Sequence, residues 1–513
     1  MLSSIQRSLS DLTGLSYVDT LALTASFLHG WPVERARTLA NEPVPFFSSV
    51  RIQRINDLAR QIGQKVADPL PHPLPGAPTD AFARASQLAA APLGGLGPYR
   101  LGEDGRLYLA AKSEHYQLSL GHQFEGYQLI DRARQLGVVN ATHNNTRGSI
   151  TRRLERELVR SVNGLKPEDE SSLEKILALR EPKVLNRVLN LETGSLAVEA
   201  GVKMMLARFY RLEPQLPAPV HAGKIPVFLV LGDHAGGLTA NYHGTTLLTQ
   251  VFRGLWPELR EKADQARLFH VVPVRINDLE DFAAKIAYYN QGDYRTAGFL
   301  HEIILMNYGG IRLEEDFLKG AYTLCAASAT PTLVDEIQSC MWYPGMYLFR
   351  LYGLAPDFVI LGKGFPGGEY PASKVITTAE MDILTQFGAL VTNGQEELAS
   401  LAYLVTMAFA KANEAAIDQL GQAFMTDLHD LSSRYPDKIK KVEGLGLLGA
   451  LHFPSLGQAK SFTDAMNQAG IDTSAQLYKP NCPPAVLVKP PLVMTESVLD
   501  QLVQKMGGAI QCL

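Results

Sequence analysis

Cysteine is scarce in this chain. Four residues in 513, Cys325, Cys340, Cys482 and Cys512, lie far apart. No pair has metal-ligand spacing and no disulfide framework is suggested, so a cysteine-held metal and a stapled secreted scaffold are excluded. Long apolar runs are also missing. The richest stretch, Leu398 to Ala410, is interrupted by Ser400 and Thr406 and is too short to span a bilayer. The opening MLSSIQRSLSDLTG lacks the apolar core of a secretion signal. Charge of one sign is lacking too. Forty-eight Lys and Arg face 52 Asp and Glu, a net charge of −4 with no basic block. Nucleic acid is thereby deprived of its usual electrostatic footing. The reading is a soluble cytoplasmic protein with no metal, membrane or nucleic-acid partner. There is no internal repeat.

What the chain does have lies between Pro331 and Pro371. Thr332-Leu333-Val334 runs into Asp335, and Phe358-Val359-Ile360-Leu361 runs into Gly362-Lys363-Gly364. Each run has the length and β-branched content of a buried parallel strand. In open α/β sheets, ligands sit beyond the carboxyl ends of such strands. The pattern predicts that two neighbouring strands deliver an acid and a lysine to one site. That pairing suits pyridoxal phosphate. The lysine forms a Schiff base, and the acid keeps the ring nitrogen protonated so the ring draws electrons.

A phosphate calls for a helix N-terminus. Thr193-Gly194-Ser195 opens such a helix, in which Val198, Val202, Met205, Leu206 and Phe209 share one face. Thr193 or Ser195 caps it, and Gly194 lets a ligand approach the backbone.

The whole array resembles the class III (ornithine/GABA-type, subgroup II) aminotransferases of pyridoxal-phosphate fold type I. Their D-E-x-Q element matches Asp335-Glu336-Ile337-Gln338. Their longer Gly-Lys-Gly element matches Pro356-Asp357, Gly362-Lys363-Gly364, Gly367-Gly368 and Pro371. The resemblance implies that Lys363 and Asp335 are catalytic and that the cofactor is pyridoxal 5'-phosphate. It implies that Thr193, Gly194 and Ser195 meet the phosphate, and that Tyr242 stacks on one face of the ring while Ile337 presses on the other. Gln338 would bond the phenolic oxygen, and His243 with Gly244 would shape the turn beside Tyr242. Glu302 would help fix the cofactor. Thr392, from a neighbouring subunit, would reach the phosphate, which makes the protein a homodimer with shared sites. His122, in the family's "lGH" position, would be structural.

The implied fold is α/β: a large fold type I domain with a mixed, mostly parallel sheet, a small α+β domain from both chain ends, and an extra N-terminal helical region. The expected divisions are 1–95 (helical extension and Pro-rich linker), 96–164 (first part of the small domain), 165–395 (large domain) and 396–513 (C-terminal small domain). In the extension, Leu21, Leu23, Phe27 and Leu28, then Ile52, Ile55, Leu58 and Ile62, recur at helical spacing; packing against the main body or a partner subunit is the favoured role, and a separate binding module is the alternative. ADPLPHPLPGAP and AAAPLGGLGP read as linker or extended arm. Tyr99 to Ala111 reads as a hairpin turning at Asp104-Gly105. A long helix from Glu396 to Ala416 is apolar enough, at Leu398, Leu401, Leu404, Val405 and Phe409, to pack between domains or subunits.

The resemblance weakens at the positions that grip substrate. Arginines are replaced by Glu443, Leu487 and Tyr343, with Lys489 nearby and Trp342 adjacent; a glutamate is replaced by Asn307. Trp342 and Tyr343 line a pocket or pack in the core. The leading function is transfer of an amino group from an amine or amino-acid donor to a carbonyl acceptor through a Lys363 Schiff base. Alternatives are an aminomutase or decarboxylase of the same fold, and a non-catalytic binding or scaffold subunit.

Overall fold

The protein was analysed as a computed structural model that describes residues 2–85, 90–141, 143, 145–477 and 481–513. Its centre is a seven-stranded sheet. In chain order the strands are β1 (Leu185–Leu191), β2 (Ile225–Leu231), β3 (His270–Val274), β4 (Tyr294–His301), β5 (Thr332–Asp335), β6 (Phe358–Leu361) and β7 (Ser373–Thr378). Their spatial order is β1-β7-β6-β5-β4-β2-β3. Only β7 runs antiparallel to its neighbours. The sheet is thus mixed and mostly parallel.

Alternation along the strands divides the interior in two. Phe228, Val230, Leu333, Phe358, Ile360 and Val375 pack with Val198, Val202 and Met205 of the helix Gly194–Leu206. Val227, Leu229, Val334, Val359 and Ile376 join the larger core on the other face, with Phe282 and Phe317. Both faces are covered, which is why these strands read as unbroken apolar runs rather than as alternating ones. The two strands expected to be neighbours are so: β5 and β6 pair in parallel, with Asp335 opposite Ile360.

The hairpin forms as read, with Tyr99–Gly102 and Leu107–Leu109 antiparallel and Gly105 at φ +76° in the turn. The expected linker needs correction. Pro92–Leu96 is not loose chain but the outer strand of this small sheet; Ala89, which opens that stretch, lies outside the described residues. The helix expected from Glu396 to Ala416 is two helices, Glu397–Ala412 and Glu414–Arg434. At the break, the Asn413 side chain donates to the Phe409 carbonyl and accepts from the Ser3 amide, a local alternative to helix continuation. Leu398, Leu401, Leu404, Val405 and Phe409 are buried within the single chain, so their apolar character calls for no second subunit.

The N-terminal helices Leu15–His29, Val33–Asn41 and Ser49–Ala59 dock on the chain's own body. Asn56 Oδ1 accepts from Thr495 Oγ1, and Ser48 donates to Glu125. The first helix buries Val18, Leu21, Ala22 and Ala25; Leu23, Phe27 and Leu28 point to solvent. The small alanines permit close approach to the next helix, which hydrophobicity alone does not disclose. A four-stranded sheet made of Lys441–Leu445, Leu448–His452, Ala485–Val488 and Ser474–Ala475, followed by the helix Glu496–Gln511, completes the chain. Among the described residues no helix is long and apolar enough to cross a membrane.

Candidate active site

Asp335 ends β5, and Lys363 follows β6 by two residues, so the parallel pairing brings both to one edge of the sheet. Lys363 sits at φ +42°, in the left-handed region, at a cost of about 1–2 kcal/mol for a non-glycine residue. Such backbone persists where its surroundings over-determine it, and it clusters at working sites. Beneath it, Trp342 lies 2.5 Å from where a Cβ on Gly364 would stand, so that position has no room for a side chain.

Both residues open into a cavity of about 260 Å³, lined also by Thr193, Gly194, Ser195, Tyr242, His243, Ile337 and Gln338. Nine of the eleven site positions expected from the sequence, Lys363 included, therefore line this one cavity. Asp335 Oδ2 meets His243 Nδ1 at 2.9 Å, and Asp335 Oδ1 accepts from the Ile337 amide at 3.1 Å. Lys363 Nζ donates to Gln338 Oε1 at 3.3 Å, and Gln338 Nε2 donates to Glu302 Oε1 at 2.9 Å. Glu302 thus acts from behind Gln338 rather than from the cavity wall. Burial pushes the Lys363 amine down to about 8, against the opposing pull of Glu302 and Asp335.

At the other end of the cavity Thr193 caps the helix Gly194–Leu206, accepting from the Leu196 amide. Ser195 Oγ accepts from the Thr245 amide at 3.0 Å. A Cβ on Gly194 would lie 2.3 Å from Ile337 Cδ1, and one on Gly244 would lie 2.6 Å from Ser195 Cα. Missing side chains at these two positions let the turn, the helix start and Ile337 converge. The Arg253 guanidinium lies 4.9 Å from the Tyr242 ring centroid.

Thr392 is the one predicted residue not brought in. It sits exposed on a turn and does not line the cavity of its own chain. Trp342 and Tyr343 pack in the core rather than in the cavity wall. His122 accepts its structural part, facing Glu114 at 3.4 Å. Sequence reasoning missed the Asp335–His243 pair, and it missed Gln117 and Glu192 in the cavity wall. Only Glu192, immediately before Thr193, carried a usable signal.

A sequence profile of the class-III aminotransferases matches residues 119–510. The chain belongs to that family. The ornithine aminotransferase of Halalkalibacterium halodurans is 30% identical over 332 residues, 62% of this chain and 74% of that enzyme. The putrescine aminotransferase of Pectobacterium atrosepticum is 26% identical over 403 residues, 76% of this chain and 80% of that enzyme. A third relative, the ornithine aminotransferase of a Geobacillus strain, is 32% identical over 218 residues, which is 41% of this chain and about half (51%) of that enzyme. Among solved structures, a transaminase from the marine bacterium Virgibacillus superposes with a TM-score of 0.67 at 18% identity, over 86% of this chain and 96% of that one. At that identity the likeness speaks to the fold, which is fold type I.

Class-III aminotransferases are pyridoxal-phosphate enzymes that act on small amino donors and acceptors. The donor set of this aminotransferase fits that cofactor. Hydroxyls and a helix N-terminus suit a phosphate, a buried carboxylate suits a protonated ring nitrogen, and a lysine amine suits an aldehyde carbon. One buried polar atom in this wall, His243 Nε2, has no hydrogen-bond partner among the described residues.

Proposed function

We propose that this aminotransferase moves an amino group from a primary-amine donor to a carbonyl acceptor, with Lys363 as the residue that joins the cofactor. One observation carries the reading: the Lys363 amine, held down to about 8 by burial, shares a cavity with Asp335 and a capped helix N-terminus. Pyridoxal phosphate, when bound, supplies an aldehyde that takes up amines and a ring that withdraws electrons from the neighbouring carbon. Asp335 would hold a proton on the ring nitrogen, with His243 Nδ1 steadying the carboxylate. Thr193, Gly194 and Ser195 would hold the phosphate; Tyr242 and Ile337 would enclose the ring; Gln338, backed by Glu302, would orient its oxygen. With the cofactor bound, Lys363 Nζ would be the amine placed to take a proton from the donor's amine-bearing carbon and to return it to the neighbouring cofactor carbon.

The donor's α-carboxylate is not the recognised group in this proposal. Leu487, Glu443 and Tyr343 stand where family arginines are expected, and Lys363 is the only lysine or arginine lining the cavity among the described residues. A putrescine aminotransferase among the relatives is in keeping with such a donor. The second outcome on the same cofactor, an aminomutase or decarboxylase, is favoured only by Asn307, whose Nδ2 donates to Gln338 Oε1 at 3.3 Å.

The proposal extends to assembly, compartment and domain divisions. Thr392, exposed on its turn, is the residue that would complete a partner's phosphate site in a homodimer. A cytoplasmic location is supported by four cysteines without a disulfide, three of them buried. The small sheets near the two chain ends, separate from the central one, are in keeping with divisions near residues 164 and 395, while the first division belongs before Pro92, because the strand Pro92–Leu96 pairs with Tyr99–Gly102. Borohydride reduction of the cofactor-loaded protein, followed by peptide mapping, tests the core of the reading. The label is expected on Lys363; a label on another lysine overturns it.

A further inference from the structure

A second cavity, of about 340 Å³, lies away from the active site. Arg208, Arg211 and Glu380 line it, with Leu212, Val220 and Ile383 among its apolar residues. Its size falls within the range of ligand pockets, about 300–1,000 Å³. Arg208 follows the helix Gly194–Leu206 by two residues. That helix starts at the cofactor cavity, so the second cavity lies beyond its far end. Arg295, whose charge reaches Arg208, is the second residue of β4, and Asp357 immediately precedes β6. Both stand at the amino ends of the parallel strands, whereas Asp335 and Lys363 stand at the carboxyl ends.

The Arg208 side chain is partly buried, yet its guanidinium makes no hydrogen bond and no ion pair among the described residues. An arginine near a helix C-terminus commonly bonds the last carbonyls; this one does not. Burial lowers its pKa from the ordinary arginine value, with Glu380 and Asp357 opposing and Arg295 adding to the fall. Taking a charge out of water without a bonded partner is costly. Here the cost is left standing on the wall of a cavity, where an oxyanion would offset it.

The neighbouring charges do not supply the partner. Asp357 Oδ2 accepts from the Thr332 amide at 2.7 Å and meets Lys183 Nζ at 2.5 Å. Glu380 is exposed and forms no ion pair among the described residues. Arg211 donates to the Pro214 carbonyl at 3.3 Å and keeps the rest of its fork. Arg295 donates to the Ser328 carbonyl, while its Nε is buried with no partner among the described residues. His221, whose amide donates to the Arg208 carbonyl at 2.8 Å, has a buried Nε2 in the same condition. Burial, then Arg208 and Arg295, push His221 down to about 4, so it is neutral at physiological pH and adds no charge. Three guanidiniums therefore stand against one unengaged carboxylate. Beside them Leu212, Val220 and Ile383 are exposed. Apolar surface open to water next to an unbonded cation is complementary to a molecule with an anionic head and a hydrocarbon tail.

We propose that this cavity is a second ligand site, separate from the active site, for a small aliphatic carboxylic acid: Arg208 and Arg211 take the carboxylate, and Leu212, Val220 and Ile383 take the hydrocarbon chain. Guanidinium forks match a carboxylate geometrically, and a bond between two charged groups is about twice as strong as a neutral one. A free phosphate would satisfy the arginines but leave the apolar wall exposed, so the two oxyanion sources differ in what they cover.

The test is isothermal titration of full-length, cofactor-loaded protein with sodium hexanoate, 1-hexanol and inorganic phosphate. Hexanoate is expected to bind one to one. Hexanol and phosphate should each bind about tenfold more weakly or worse, since each offers half of the match. In Arg208→Met the hexanoate Kd is expected to rise about tenfold or more. Arg208→Lys, which keeps the charge without the planar fork, should fall between that variant and wild type. Lys363→Met, saturated with the cofactor, should bind hexanoate as wild type does. Absence of hexanoate binding, phosphate binding as tight as hexanoate, or an unchanged Kd in Arg208→Met overturns the proposal. A rise in Lys363→Met as large as that in Arg208→Met places the acid in the active site and overturns it equally. Should Arg208→Met fail to fold, Val220→Glu puts a like charge on the exposed wall; hexanoate should then bind about fivefold more weakly or worse, and an unchanged affinity overturns the proposal.

Discussion

Replacing Asp335 with asparagine is the sharpest test of how the sheet edge works. Asparagine is nearly isosteric, and its carbonyl can still accept from the Ile337 amide, now 3.1 Å away. What is lost is charge, at a position 4% exposed, facing His243 at 2.9 Å. A hydrogen bond to a charged group contributes about 1.5–3 kcal/mol, against about 1 for a neutral one. The fold should therefore lose only about 1–2 kcal/mol. The larger effect is chemical. Without the carboxylate, the proton on the ring nitrogen is no longer held, and the electron demand that drives proton removal by Lys363 declines. If the full 3 kcal/mol is expressed in the transition state, the half-reaction slows about 150-fold, at 1.36 kcal/mol per factor of ten. The assay is a single-turnover absorbance measurement with a saturating amine donor. Borohydride trapping on Lys363 should remain, which separates lost chemistry from lost cofactor. A folded, cofactor-loaded Asp335→Asn protein within about threefold of wild type would refute the reasoning, since a charge-assisted contact of this size could not then be acting on the reaction.

Three further outcomes are expected. Gly194→Ala places a Cβ 2.3 Å from Ile337 Cδ1, so cofactor affinity should weaken about tenfold by titration, in line with overpacking costs of about 1–3 kcal/mol; an unchanged affinity would show that Ile337 yields freely. In the cofactor-free protein, burial holds Lys363 and Lys374 at about 8 and Lys489 at about 7. The unfolded chain binds more protons than the folded one between those values and 10.5, so stability is lowest near pH 7 and rises towards pH 10; a melting temperature that falls from pH 7 to pH 9 contradicts this. Sedimentation of the loaded protein should give twice the 56.2 kDa chain mass or a multiple, and an active monomer would leave Thr392 without its role.

The chemistry that was legible in the sequence is the chemistry written in contiguous residues. Asp335 and Lys363 were found because each ends an apolar run that can only be a buried strand, and β5 and β6 do pair in parallel. Thr193-Gly194-Ser195 was found because a cap, a glycine and an apolar stripe share one short stretch. The pairing of Asp335 with His243, 92 residues apart, had no such local trace. Nor did the left-handed turn from Ser113 to Tyr116, with φ of 47°, 45°, 58° and 75°: it contains no glycine, and its Glu114 meets Arg100, which also meets Asp472 far along the chain. Asn413, which breaks the long helix, is unremarkable among polar residues until Ser3 is seen to bond it. Local propensity is a weak prior, and at these positions tertiary contacts override it.

The same distinction accounts for the uneven match to the family. A cofactor site can be held by short motifs at strand ends and helix starts, because the sheet supplies their relative geometry. The positions where the family resemblance leads one to expect donor recognition lie in the C-terminal sheet and the segment after Gln338, where no single motif governs. Here those places hold Leu487, which packs towards Gly310, Tyr343, buried in the core, and Trp342, which lies under Lys489. Their side chains are not idle replacements. They fill space, exclude water and bring a second buried lysine against Gln338. The departures from the family therefore gather beside Gln338, which Lys489 bonds at its main chain and Lys363 at its side chain, so replacing Trp342 or Lys489 should disturb Lys363 through Gln338 rather than through a contact with the donor.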